Sequence, residues 1–229
     1  MSRVLPILFN TDMVRAILDG RKTVTRRFIK PQQIIGLLPD KCKNGMPEEF
    51  LKEKKYMFKP YCDMTDVELI KTAYNPPYQP GDILYVRETW EHFDCCSCEG
   101  DEHGNCPKEP QKSVLYKYGC GCYMYRATDE ISGDAKWRPS IHMPKEAARI
   151  WLKVKDVRVE KLQEITIDDI RNEGLTSMSV HAGDMEIAFE EWKILWDSTI
   201  KKSDLDCYGW DANPWVWVIE FERCEKPAD

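Results

Sequence analysis

The chain reads as an α+β fold built around a small barrel. Three observations carry that expectation: short β-branched and aromatic runs recur along the chain, helical periodicity is confined to a few segments, and the two are interleaved. At 229 residues it is long enough for one domain carrying insertions, so residues 1–229 are read as a single domain.

Val4 to Phe9 is a short apolar run expected to form a buried strand. Asn10 or Thr11 then caps a helix over Asp12–Asp19, with Met13, Val14, Ile17 and Leu18 on one face and Gly20 as its stop. From Lys30 to Pro77 charges and prolines break any sustained period. Residues 30–77 therefore read as an insertion or a mobile lid, with one short helix near Thr65–Thr72. Pro80-Gly81-Asp82 is a turn that opens a strand over Ile83–Trp90. Residues 94–122 form a second insertion, followed by a strand over Tyr123–Thr128 and a proline-stiffened loop over Trp137–Pro144.

Trp151–Leu162 is the longest strand expected. Its apolar alternation changes parity between Val154 and Val157, which places a bulge near Lys155 and Asp156. Thr166 caps a short helix ending at Glu173-Gly174. A longer helix follows, with Ile187, Glu191 and Leu195, and Phe189, Trp192 and Trp196, at helical spacing. Trp215–Phe221 closes the chain as a strand, and no internal repeat is present.

Composition excludes several classes. Net charge is −6, which argues against broad, sequence-blind duplex binding. No apolar run approaches the roughly 20 residues that span a bilayer, and the first residues lack a secretory pattern, so a cytoplasmic protein is expected. Without an export signal, the ten cysteines point to thiols or metal rather than disulfides. Cys95, Cys96, Cys98, Cys106, Cys120 and Cys122 cluster in the second insertion. Four of them, Cys98, Cys106, Cys120 and Cys122, form a candidate tetrahedral set for one structural zinc; free, partly buried thiols are the alternative. No organic cofactor is expected.

The segment Arg21-Lys22-Thr23-Val24-Thr25-Arg26-Arg27 is polar and basic. On its own such a run reads as a solvated strand or loop. A second polar cluster comprises Trp137, Arg138, Ser140 and His142, with Lys145 beyond it. Aromatic and basic residues in alternation suit base stacking and phosphate contact; the alternative is a structural loop in which Trp137 fills the core. Trp90 reads as core, with a stacking face as the alternative.

Three pieces in order carry a resemblance: Gly20-Arg21-Lys22-Thr23-Val24-Thr25-Arg26 after a helix, Pro80-Gly81-Asp82-Ile83-Leu84 opening a strand, and Val154–Leu162 leading to Arg171-Asn172-Glu173-Gly174-Leu175. Together they resemble the ASCH family, a branch of the PUA-like superfamily of small β-barrels. The segment Trp137–Pro144 is similar to the longer variant common in phage and prophage genomes. The resemblance covers most of the chain outside the two insertions. It implies binding of RNA, single-stranded nucleic acid or a modified nucleoside, with Arg21, Arg26, Arg27, Arg138, Ser140, His142 and Trp137 as contacts. The family also includes an amidohydrolase that removes the acetyl group from N4-acetylcytidine, and its lysine, threonine and glutamate fall on Lys22, Thr25 and Glu173.

The chemistry is coherent. A threonine hydroxyl needs a base, and a lysine surrounded by Arg21, Arg26 and Arg27 is disposed to give up its proton. A glutamate in the last turn of a helix is disposed to hold one. Arg26 departs from the family, where an apolar residue stands, and its added charge favours a nucleotide or polynucleotide. An accessory protein whose insertions bind a host protein is a third reading.

Overall fold

The computed structural model describes residues 2–30, 66–94, 121–130, 136–175 and 185–227. It is an α+β fold with few helices. A five-stranded mixed sheet runs in the order β1-β3-β6-β7-β2, and β4 and β5 form a separate antiparallel ribbon. The strands are β1 (Val4–Leu8), β2 (Val24–Phe28), β3 (Ile83–Arg87), β4 (Trp90–Asp94), β5 (Gly121–Tyr125), β6 (Trp151–Lys161) and β7 (Trp215–Cys224). The helices are α1 (Thr11–Leu18), α2 (Asp66–Ala73), α3 (Ile167–Asn172), α4 (Met185–Ser198) and the single turn α5 (Leu205–Tyr208). Among the described residues no helix is long and apolar enough to cross a membrane.

The chain divides into two compact units, each made of separated segments. The first comprises Met1–Lys22, Gly81–Val154 and Phe221–Asp229, and the second Thr23–Pro80 and Lys155–Glu220.

In the first unit β1 runs parallel to β3, with Val4 opposite Ile83 and Leu8 opposite Arg87. The start of β6 pairs antiparallel with β3, Leu84 facing Leu152. Asn10 caps α1, its side chain accepting from the Met13 N–H at 2.8 Å. Gly20 follows at φ 75°, the left-handed conformation that a side chain disfavours. Asn10→Ala is expected to cost about 1 kcal/mol, read as a lower urea midpoint with unchanged slope.

The strand expected over Ile83–Trp90 is interrupted at Glu88. There the Glu88 N–H turns to the Met143 sulfur at 3.2 Å, and pairing resumes at Trp90 in β4. The strand expected over Tyr123–Thr128 instead ends at Tyr125. The N–H groups of Thr128 and Asp129 fold back on the Tyr125 carbonyl, and the Asp129 carboxylate accepts from the Tyr125 N–H at 2.7 Å. Trp90, Tyr123, Tyr125, Met143, Ala147 and Trp151 build a buried aromatic cluster, so Trp90 is core as expected.

In the second unit β2 pairs antiparallel with β7, Val24 opposite Glu220 and Phe28 opposite Val216. On β6, buried positions fall at Leu152 and Val154 and then at Val159, with Lys155 and Asp156 both exposed. That is the parity change read from the sequence. Thr166 caps α3 through a reciprocal box with Asp169. On α4 the inward stripe is Ala188, Trp192 and Trp196, joined by Val24, Leu162, Ile170, Val216 and Val218. Of the residues at helical spacing on α4, Ile187 is 49% exposed and lies with Ile194 away from that stripe. The short helix expected near Thr65–Thr72 is α2.

Candidate functional site

The basic run after α1 is not a solvated surface. Lys22 is 2% exposed, Thr25 1% and Arg26 2%, while Arg27 is partly buried. Thr25, Arg26 and Arg27 lie on β2, in the second unit. The backbone N–H of Thr23 donates to the Asn172 carbonyl at 2.8 Å, tying the entry of β2 to the end of α3. Glu173 is the C-terminal cap of α3, its N–H donating to the Asp169 carbonyl at 2.8 Å, and its side chain is buried.

Side-chain contacts join these elements. The Arg26 guanidinium is fully buried and faces three carboxylates: Glu173 at 3.4 Å, Glu160 at 3.2 Å and Asp169 at 3.3 Å. Arg158 supplies a second guanidinium, paired with Glu160 and Glu220 and lying 3.5 Å from Asp169. Burial would raise the Asp169 pKa, but the Thr166 N–H and hydroxyl and the Arg26 charge outweigh it and hold the group below the ordinary aspartate value. Burial pushes the Arg27 guanidinium down, opposed by the Glu173 carboxylate and Tyr78. Burial likewise pushes the Tyr78 phenol up against the attraction of Arg27. A carboxylate, a guanidinium and a phenol of the second unit thus act on one another in a partly dry setting, where hydrogen bonds to a ligand gain strength.

Lys22 ends the first segment of the first unit. Its N–H donates to the Ala16 carbonyl at 3.0 Å and its ammonium lies 5.7 Å from the Phe9 ring centre. Arg21 pairs with Asp19 at 2.8 Å. The second predicted cluster is also in this unit. Arg138 exchanges backbone hydrogen bonds with Trp90, pairs with Glu91 at 2.8 Å and lies over the Trp90 ring. Ser140 and His142 form a short 3-10 turn; His142 is exposed, Ser140 and Trp137 partly so. Trp137 therefore does not fill the core as the structural alternative required, although Pro139 and Pro144 do precede the two turns of this loop.

Arg26 is a correction: its side chain is 0% exposed and held by carboxylates, so it is not a surface contact for a polymer's phosphates. Sequence reading missed Glu160, Asp169, Arg158 and Tyr78. The alternate charges Arg158 and Glu160 on a strand were a usable signal, since two charges on one sheet face call for partners. Tyr78 carried none, standing beside Pro77 at the end of an irregular stretch.

Of the zinc candidates, Cys98, Cys106 and Cys120 lie outside the described residues and Cys122 is on β5. Among the described residues no group of three or more His, Cys, Asp or Glu side chains is arranged to hold a metal ion. Compared with family models, curated proteins and solved structures, the chain matches none.

Proposed function

We propose that the protein recognises a nucleobase or nucleoside through the second unit's Thr25, Arg27 and Glu173, in the manner the ASCH resemblance implies, with a PUA-like barrel as its finer architecture. The observation that carries this reading is the buried Glu173 carboxylate, drawn to β2 across 147 residues of chain and acting on Arg27. A carboxylate only accepts and a guanidinium only donates. The Watson–Crick edge of cytosine offers an amine to the first and a carbonyl to the second. Polynucleotide phosphate has weaker support, because Arg21, Arg26 and Arg138 are already paired with Asp19, the three carboxylates of β6 and α3, and Glu91.

Hydrolysis of an N4-acylated cytosine is the second reading. It is favoured by the burial of Lys22, Thr25 and Glu173, at 2%, 1% and 5% exposure, where a surface motif would be wet. The resemblance implies that the Thr25 hydroxyl would attack the acyl carbonyl with Lys22 as its base, that Glu173 would protonate the departing amine, and that water would release the acid from threonine.

Incubation with N4-acetylcytidine and its deoxy form, with products separated by chromatography, tests both. Cytidine formation lost in Lys22→Ala and Thr25→Ala establishes the hydrolase. Saturable amide shifts with cytidine but no turnover leave recognition alone. Neither result sinks both, and salt-dependent RNA binding weakened by Arg27→Ala would then point to a polymer.

The cysteine insertion is proposed to hold one structural zinc. Protein prepared without chelator is expected to carry about one zinc per chain, and less than about one in ten refutes it.

A further inference from the structure

The residue that departs from the resembled family is buried, its side chain 0% exposed. Arg26 reaches from β2 to β6 through Glu160 and to α3 through both Asp169 and Glu173. These two carboxylates stand at opposite ends of α3: Asp169 in its first turn, held by the Thr166 N–H and hydroxyl, and Glu173 as its C-terminal cap. The planar guanidinium spans them because its two terminal nitrogens point apart, one to Glu173 and the other to Glu160 and Asp169. Its Nε–H, also buried, has no hydrogen-bond partner among the described residues.

We propose that Arg26 is a positioning residue, pinning α3 on β2 so that the Glu173 carboxylate is presented at a set place beside Arg27. The inference rests on the reading that Glu173 serves the base-binding site, and it assigns Arg26 no contact with ligand. An unpaired donor on a buried cation is tolerated here because the other nitrogens bind charged acceptors, whose hydrogen bonds are the stronger kind. Arg158 pairs with Glu160 and Glu220 and lies 3.5 Å from Asp169, whereas Arg26 also reaches Glu173. Loss of the Arg26 fork therefore removes the link that Arg26 supplies between Glu173 and β2.

The test compares the intact chain with Arg26→Lys, which keeps the charge but offers only a point donor. A second variant, Arg26→Ile combined with Glu160→Gln, removes the cation and one of its carboxylates together and leaves the Thr166–Asp169 cap of α3 in place. Amide hydrogen exchange reads the pinning without any ligand. Exchange at Thr23, Glu173 and Gly174 is expected to speed up roughly tenfold or more in both variants, with Val216 and Val218 in the core unchanged. Unchanged exchange at Glu173, or acceleration spread evenly to Val216 and Val218, overturns the proposal.

With N4-acetylcytidine as probe, Arg26→Lys is expected to lower kcat about tenfold while KM stays within roughly twofold, the signature of a misplaced proton donor. A KM rise at constant kcat overturns the proposal by making Arg26 a binding group. Wild-type protein without turnover removes the functional reading alone, and the exchange data still decide whether Arg26 pins α3.

Discussion

Arg149→Met is expected to destabilise the protein by about 3–5 kcal/mol, the usual cost of stranding a buried charge. Glu88 is 1% exposed, and both its oxygens accept from Arg149 at 2.9 Å. Arg149 also donates to the Thr128 hydroxyl and stacks over the Tyr125 ring at 4.0 Å, so its removal unpicks several contacts at once. Burial raises the Glu88 pKa above the ordinary glutamate value, with Arg149 pulling against it and Asp129 adding to it. A carboxyl with a raised folded pKa contributes stability below its unfolded pKa and loses that contribution as pH rises through the folded value. Without Arg149 the folded value rises further. The deficit of the variant should therefore be large near neutrality and shrink as pH falls towards about 4. Urea unfolding across that range checks it, and a deficit independent of pH refutes the assignment.

Trp192→Ala is expected to cost about 3–5 kcal/mol, from lost apolar burial and the cavity left behind. Trp192 is 3% exposed within the core of the second unit, its ring centre 6.3 Å from that of Trp196. The two indoles differ in one respect. Trp196 donates its ring N–H to the Tyr208 carbonyl at 2.8 Å, whereas the buried Trp192 ring N–H has no hydrogen-bond partner among the described residues. Trp192→Phe therefore removes an unsatisfied donor and should cost less than Trp196→Phe, which strands a carbonyl. Equal losses in the two phenylalanine variants would contradict this.

Local signals were read where local physics decides. Asn10 and Thr166 cap their helices because a short side-chain acceptor meets free N–H groups whatever the rest of the chain does. Gly20 ends α1 because the left-handed conformation there suits glycine. The parity change after Val154 was legible because strand side chains alternate between faces, so a shift of the apolar positions by one marks an irregularity. The expected strand through Glu88 failed for the opposite reason. Its composition suits a strand, and the break comes from Met143 and Arg149, both more than fifty residues away. Helical spacing alone did not choose between the Ile187-Glu191-Leu195 row and the stripe of Ala188, Trp192 and Trp196 that packs inward.

The candidate site divides along the same line. Sequence pattern alone determined the interleaved α+β elements, the helix caps and the presence of Lys22, Thr25 and Glu173 in segments that resemble one family. Only the tertiary structure decided that the basic run is interior, that Arg26 holds carboxylates instead of facing a phosphate, and that Glu160 and Asp169 belong with it. The reason is electrostatic. A charge enters a protein interior only where counter-charges meet it, and those of Arg26 arrive from 134 to 147 residues along the chain. No window around Arg26 contains them.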